Sequence, residues 1–369
     1  MNKKLTAVSW IITNLCNLRC KHCYPSSGYE YATEKNLTLD EISKLCESVN
    51  TVNPNIVVFS GGEPMMCPQI YTYISEMKKR ISGEVWMCTN GLFIDEIAAK
   101  QLSNAGITGA SIGLTHPNSE KEDMFRGGKN IQNKIRSAIK AFHANDIFVT
   151  LDMTLTTFNV ESIDEFINLA VSMEADVIMF KRFRPVGRGY EHLSLKLSPS
   201  DNMKALSHIY QLAISNHNLQ IKVDDPLYSL FVSNGDFDKY PDYMRYAVSD
   251  QNSIVPNRTN KDDSLDAIMD NRYWGCKAGI EWVGIDHKGN VSPCPLLGYA
   301  GKIIGNIYDN NLDSILEQSE EIQKLRLIDK NRCSKAGICG GCRTEAFIAT
   351  GDLFAQDPMC TISCNKESL

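Results

Sequence analysis

Six times in its first 220 residues the chain passes from a short apolar, β-branched run into a longer stretch of helical period. That alternation restricts the fold to βα units around a parallel sheet, the α/β class. Strands are expected near Ala7–Thr13, Ile56–Phe59, Val85–Thr89, Ala110–Gly113, Phe148–Thr154 and Val177–Phe180. Helices are expected near Pro68–Ile81, Ile94–Asn104, Ile131–Asn145, Ile163–Met173 and Pro199–Asn216. A further helix should open at Thr38-Leu-Asp-Glu41, where Thr38 can accept from a backbone N–H and Glu41 can reach back to the cap. Six repeats predict a partial (β/α)6 barrel of the TIM type, with working residues at the C-terminal ends of its strands.

The alternation stops near residue 220. Asp224–Asn271 is rich in Asp, Asn, Ser, Tyr and Pro and reads as a connection with short helices. From Tyr273 a different pattern begins: Glu281–Ile285 and Asn290–Ser292 flank Asp286-His-Lys-Gly289, a hairpin signal. A short helix near Leu312–Gln318 and a Cys- and Gly-rich end follow. The chain thus divides into a barrel at 1–220, a connection at 221–272 and a C-terminal cysteine-rich extension at 273–369.

Composition excludes several classes. A net charge of −6, with Lys and Arg scattered along the chain, gives no basic footprint for nucleic acid. The longest apolar runs, such as Ile56–Phe59, fall far short of the roughly 20 residues that cross a bilayer. The segment before the first cysteine is too short in its apolar part for a secretory signal, so a cytoplasmic location is expected.

In a reducing compartment the 13 cysteines call for metal or redox chemistry rather than disulfides. Cys16, Cys20 and Cys23 form a C-x3-C-x2-C run just after the first strand. Three thiolates at this spacing can hold three irons of a 4Fe-4S cubane and leave the fourth iron open. A zinc site is the alternative, but it would want a fourth ligand close by, and His22 sits between two of the cysteines. The second strand ends in Ser60-Gly-Gly-Glu-Pro64, by itself a tight-turn signal. Cys46, Cys67 and Cys88 stand singly and read as ordinary packed thiols. Seven more fall between Cys276 and Cys364: Cys276 and Cys294, then Cys333, Cys339, Cys342, Cys360 and Cys364. They exceed one cubane and approach the eight needed for two; several zinc ions are the alternative.

With the cysteine run and Gly61-Gly62-Glu63-Pro64 together, the chain resembles the radical S-adenosylmethionine (AdoMet) superfamily. The resemblance implies that the open iron chelates AdoMet and that one electron releases a 5′-deoxyadenosyl radical. It implies that Gly61, Gly62, Glu63 and Pro64 hold the methionine amino group and that His22 lies near the adenine. Asn90 at strand three, Ser111 at strand four and Arg126 match positions commonly polar or basic around the cofactor. Arg126 reads equally as a solvated surface residue. Relatives often carry Ser-(Ile/Leu)-Asp-Gly at strand four, whereas here Ser111-Ile-Gly-Leu-Thr-His116 lacks the Asp. His116 reads as structural first and as substrate-facing second.

The distal cysteines resemble the SPASM extension of peptide- and cofactor-maturing radical enzymes, which binds two auxiliary iron–sulfur clusters. By that resemblance Cys276, Cys294 and Cys342 serve one cluster and Cys333, Cys339 and Cys360 the other. The usual pattern has another cysteine where Lys330 stands, and Cys364 can compensate. The resemblance implies an oxidoreductase or maturase fed by a flavodoxin- or ferredoxin-type electron donor. Its catalytic acid or base is not identified by the sequence. Modification of a ribosomally made peptide, by thioether formation, carbon–carbon crosslinking or epimerisation, is the first reading. Only 15 residues precede Cys16, so a peptide would need a separate leader-recognition protein or a leader-independent mode. A tetrapyrrole enzyme of haem biosynthesis, another small-molecule substrate, and a non-catalytic iron–sulfur electron carrier are the alternatives.

Overall fold

The computed structural model of the protein describes residues 5–31, 37–215, 220–233, 275–327 and 339–361. Cys333 and Cys364, Lys330 and most of the connecting region lie outside the described residues. All six predicted strands form: β1 (Ala7–Thr13), β2 (Ile56–Gly61), β3 (Glu84–Thr89), β4 (Gly109–Gly113), β5 (Phe148–Leu155) and β6 (Val177–Arg182). Four more join them: β7 (Ile221–Asp224), β8 (Trp282–Ile285), β9 (Asn290–Ser292) and β10 (Gly305–Asn306). The spatial order is β10-β9-β8-β1-β2-β3-β4-β5-β6-β7 in a single sheet.

The predicted hairpin is β8–β9, and it does more than cap the tail. β8 pairs in parallel with β1, Ala7 opposite Trp282 and Trp10 opposite Ile285. β7 adds to the other edge, parallel to β6. The parallel sheet therefore extends past the six strands read from sequence, borrowing one strand from each side of the connection. Both are four residues long, too short to show a period of their own.

Helices α1 (Leu39–Asn50), α2 (Ile70–Lys78), α3 (Glu96–Ala105), α4 (Ser119–Arg126), α5 (Ile131–His143), α6 (Ile163–Ser172) and α7 (Pro199–Ser215) follow the first six strands in turn, with two between β4 and β5. At α1 both arms of the capping box are present: Glu41 N–H donates to Thr38 Oγ1 at 3.2 Å and Thr38 N–H donates to Glu41 Oε2 at 2.6 Å. The outward strand face, including Phe59, Met87, Val149, Leu151 and Phe180, packs with the helices into one core. Each fully buried side chain of this kind contributes about 1.5–3 kcal/mol.

The inward face is a separate cluster. Ala7, Ile56, Val58 and Trp86 fill it, with Phe148 and Trp282 against them. Gly109 leaves room for the indole, because a Cβ there would stand 2.2 Å from the Trp86 ring. Two residues further along the same face, apolar side chains give way to Ser60, Cys88, Ser111, Asp152 and Lys181 on β2 to β6. The barrel thus has an apolar plug at one end and a polar floor at the C-terminal end of its strands.

Candidate functional site

The cysteine loop leaves β1 over that floor. Its neck is closed by Gly28 N–H donating to the Asn14 carbonyl at 3.1 Å and Cys16 N–H to the Gly28 carbonyl at 3.3 Å. Within it, Cys23 N–H donates to the Cys20 carbonyl at 3.2 Å. Two arginines hold it from outside. Arg19 N–H donates to the Arg126 carbonyl at 3.0 Å. The Arg188 side chain donates to the carbonyls of Cys20 (3.1 Å), Ser26 (3.0 Å) and Ser27 (2.6 Å).

Burial pushes the Cys16 thiol up to about 12, and its neighbours Cys20 and Cys23 push it the same way. Burial raises Cys23 to about 11, again with Cys20 adding to the shift. Three thiolates packed this closely repel one another unless a cationic centre sits among them, so the donor set suits an iron–sulfur cluster. Among the described residues no group of three His, Cys, Asp or Glu side chains would hold a metal ion by itself.

The Gly-Gly-Glu-Pro turn lies directly against the loop. Gly62 N–H donates to the Thr13 carbonyl and Glu63 N–H to the Leu15 carbonyl, each at 2.8 Å. A Cβ on Gly61 would stand 2.3 Å from the Thr13 oxygen and one on Gly62 2.2 Å from the Leu15 oxygen, so only glycine permits this approach. The Glu63 carboxylate is wholly buried. It accepts from Met65 N–H (3.0 Å), Thr89 Oγ1 (2.8 Å) and Asn90 N–H (2.7 Å). Burial raises its pKa while these donors pull it down. Its side chain is a strut between β2 and β3. Asn90 continues it, its amide donating to Asn17 Oδ1 at 2.7 Å in the cysteine loop.

Arg126 is buried, which removes the surface reading. Its Nε donates to Cys20 Sγ at 3.4 Å and its Nη1 to the Gly113 carbonyl. Glu122, one turn earlier on α4, faces it at 3.4 Å. Glu122 Oε2 also accepts from the N–H groups of Thr115 and His116 at 2.9 and 2.8 Å. His22 stacks on Phe125 with ring centroids 5.2 Å apart, and Phe125 stacks on Phe158 at 5.1 Å. Burial, with Arg126 nearby, lowers His22 to about 3, so its ring is neutral. The His116 ring meets Phe158 edge-on, and its Nδ1 accepts from Asn118 N–H at 2.9 Å, a structural role.

Sequence reasoning singled out Ser111 but missed its partners. Ser111 Oγ donates to Asp152 Oδ2, which also receives Lys181 Nζ at 2.5 Å. The acid that relatives carry two residues after this serine is absent from β4, where Gly113 stands. Asp152 is the register partner of Gly113 on β5. The available signal was positional: a charged residue at an inward register near each of two strand ends.

The described distal cysteines fall into two groups. Burial raises Cys276, with Cys342 adding to the shift, and lifts Cys294 to about 12, with Cys276 and Cys342 adding to it. Burial raises Cys339 to about 12, with Asp225, Cys360 and Asp357 adding smaller shifts the same way. Cys276 N–H donates to the Cys339 carbonyl at 3.2 Å, tying the groups together. Arg184, just past β6, donates from Nε to Cys342 Sγ at 3.1 Å. Arg182 pairs with Asp357 at 2.8 Å and Asp225 at 3.3 Å, all three buried. The second thiol site is thereby joined to the barrel at β6 and β7. Sequence analysis flagged the Arg184-Pro-Val-Gly-Arg-Gly189 segment but not these contacts, which span 158 and 175 residues of chain.

The radical SAM superfamily pattern matches residues 10–170, and an iron–sulfur cluster-binding SPASM domain matches residues 276–343. An AdoMet-dependent heme synthase of Methanosarcina barkeri is 26% identical over 369 aligned residues, covering 98% of this chain and 97% of the relative. The mycofactocin maturase of Mycobacterium tuberculosis is 24% identical, covering 98% and 84%. Among solved structures, Streptococcus suis SuiB bound to S-adenosylmethionine superposes with a TM-score of 0.71 at 15% identity, covering 98% of this chain and 78% of that one. The fold, the thiol loop over the barrel floor, and both matches agree: the chain is a radical AdoMet enzyme with a SPASM domain, a family whose cofactors are a 4Fe-4S cluster, AdoMet and auxiliary iron–sulfur clusters.

Proposed function

We propose that this enzyme oxidatively modifies a haem-type tetrapyrrole. The observation that carries the reading is the end-to-end similarity to the heme synthase, which leaves almost no part of either chain unmatched. The likeness to SuiB supports the fold and says nothing about substrate. The peptide reading favoured from sequence is second, supported by the similarity to the mycofactocin maturase.

In this reading Cys16, Cys20 and Cys23 hold the catalytic cluster. The backbone of Gly61 and Gly62 takes the methionine end of AdoMet, with Glu63 and Pro64 fixing the turn. Asn90, Ser111 and Arg126 line the cofactor, and the neutral His22 ring packs by the adenine. When bound, cluster and cofactor supply a 5′-deoxyadenosyl radical for hydrogen abstraction. The protein's part is placement: Lys181 offers a cation on the barrel floor for an acidic side chain of the substrate, and Asp152 holds that cation in place. A flavodoxin- or ferredoxin-type protein would deliver the reducing electron.

Anaerobic titration of the reconstituted enzyme with an iron porphyrin bearing free carboxylates tests this. A saturable Soret shift, together with porphyrin-dependent 5′-deoxyadenosine formation, is expected. Absence of both, with 5′-deoxyadenosine formed on addition of a precursor peptide, would replace the tetrapyrrole by the peptide.

A further inference from the structure

Among the described residues two arginines donate to a cysteine sulfur, and they are balanced differently. Arg126, at Cys20, is matched by Glu122, whose side chain is completely buried. Arg184, at Cys342, has its side chain 6% exposed, while the carboxylate facing it, Asp224, is 54% exposed. Arg184 Nη1 lies 3.4 Å from Asp224 Oδ2, and its Nη2 donates to the Asp224 carbonyl at 3.2 Å. Neighbouring Arg182 adds no net positive charge, because Asp225 and Asp357 take it up in the buried interior. Solvent therefore screens Asp224, the carboxylate that Arg184 contacts, and leaves the guanidinium itself unscreened on the side of the sulfur.

We infer that Arg184 raises the reduction potential of the auxiliary iron–sulfur centre held at Cys276, Cys294 and Cys342, and that Asp224 partly offsets it. The physical cause is charge. Reduction adds one negative charge to the centre, and a fixed cation donating N–H to a ligating sulfur stabilises the reduced form more than the oxidised one. Cys342 also stands at the N-terminus of the helix Arg343–Thr350, whose dipole acts in the same direction. Arg184 lies two residues past the end of β6, and Asp224 ends β7, so barrel residues rather than the SPASM domain itself control this centre. The inference rests on the family assignment and is independent of the substrate.

The test uses the full-length, anaerobically reconstituted protein carrying C16A, C20A and C23A, so that only auxiliary centres report. Iron and sulfide are counted, and the reduced centres are followed by electron paramagnetic resonance through a redox titration. Arg184→Met should lower the reduction equilibrium constant at least tenfold, about 59 mV for a one-electron couple. Asp224→Asn, which leaves Arg184 in place, should shift it the opposite way, and Arg184→Lys should fall between Arg184→Met and the parent. Opposite shifts at parental iron content support the inference. Potentials unmoved in both variants, or moved in the same direction, overturn it. Should Arg184→Met lose iron, Asp224→Asn decides: an upward shift supports potential control, and no shift marks Arg184 as a structural clamp and overturns it.

Discussion

Asp152 lies opposite Gly113 across β4 and β5, and its carboxylate joins Ser111 to Lys181. The Asp152 side chain is 7% exposed and that of Lys181 31%, so the acid is the buried anchor and the ammonium the reachable end. Among the described residues Asp152 Oδ1 has no hydrogen-bond partner. Asp152→Ala should release Lys181 and cost about 1–3 kcal/mol, less than a fully buried pair because the lysine reaches solvent. Urea denaturation measures the stability loss. Substrate-dependent 5′-deoxyadenosine formation should fall at least tenfold, and Lys181→Met should reproduce that fall with a smaller loss of stability.

The close approach of Gly62 to Leu15 makes a sharper prediction. With 2.2 Å between a new Cβ and a backbone oxygen, Gly62→Ala must push the cysteine loop and the end of β2 apart. AdoMet affinity should drop by more than tenfold in equilibrium dialysis. Auxiliary iron should stay near the parental count, since Cys276, Cys294 and Cys342 lie on other segments. Glu63→Gln sets an amide N–H₂ against donors from Met65, Thr89 and Asn90. Leaving one of them unsatisfied costs about 1–3 kcal/mol, read as a lower denaturation midpoint.

How far these features could be read from sequence depends on whether they are local. The βα alternation, the Thr38 capping box and the β8–β9 hairpin depend on residues within a few positions of one another, and each forms as expected. Helix α4 escaped notice because its Ser-Glu-Lys-Glu-Asp opening has no apolar stripe; its buried face is Glu122, Phe125 and Arg126, two of them ionic. The same helix supplies the guanidinium at Cys20, so missing it left Arg126 without a position. Asp152 sat inside a run read as an ordinary strand and Lys181 one residue past the end of another, and only the register between β4 and β5 brings the acid to Ser111. The pairing of Arg184 with Cys342 has no local trace at all. Substrate choice is the least legible: the motifs specify radical initiation, which peptide and tetrapyrrole enzymes share.

At the surface, His143 Nε2 lies 2.9 Å from Asp176 Oδ2, joining the end of α5 to the turn before β6. The hydrogen bond to Asp176 raises the His143 pKa above its ordinary value, against a smaller opposing effect of burial. A histidine raised on folding contributes stability that is whole below about pH 6.5 and disappears as pH rises through the higher folded value. Both side chains are about one-third exposed, so the contribution is about 0.5 kcal/mol. The denaturation midpoint of His143→Gln should match the parent at pH 8 and fall below it at pH 6; equal gaps at both pH values would remove His143 as the source.

Asp357 makes the strongest demand on the C-terminal segment. Its Oδ2 receives Arg182 Nη2 at 2.8 Å and Cys342 N–H at 2.7 Å, and its Oδ1 receives Met359 N–H at 3.0 Å. Burial alone would raise this carboxyl; Arg182, followed by the backbone donors, overrides it and holds the pKa below the ordinary value. An acid depressed on folding stabilises above its unfolded pKa and loses that contribution as pH falls through the folded one, so acid should loosen this junction. Asp357→Asn removes the charge that Arg182 faces and turns one acceptor into a donor, at a cost of about 3–5 kcal/mol for breaking a buried pair. Auxiliary iron should be lost first while the Cys16–Cys20–Cys23 cluster is retained. The iron count should therefore fall toward that of a single cubane, with AdoMet binding preserved. Loss of both together would mean that the C-terminal segment also supports the catalytic loop, through the neighbouring contact between Tyr299 and Tyr24 at 5.6 Å.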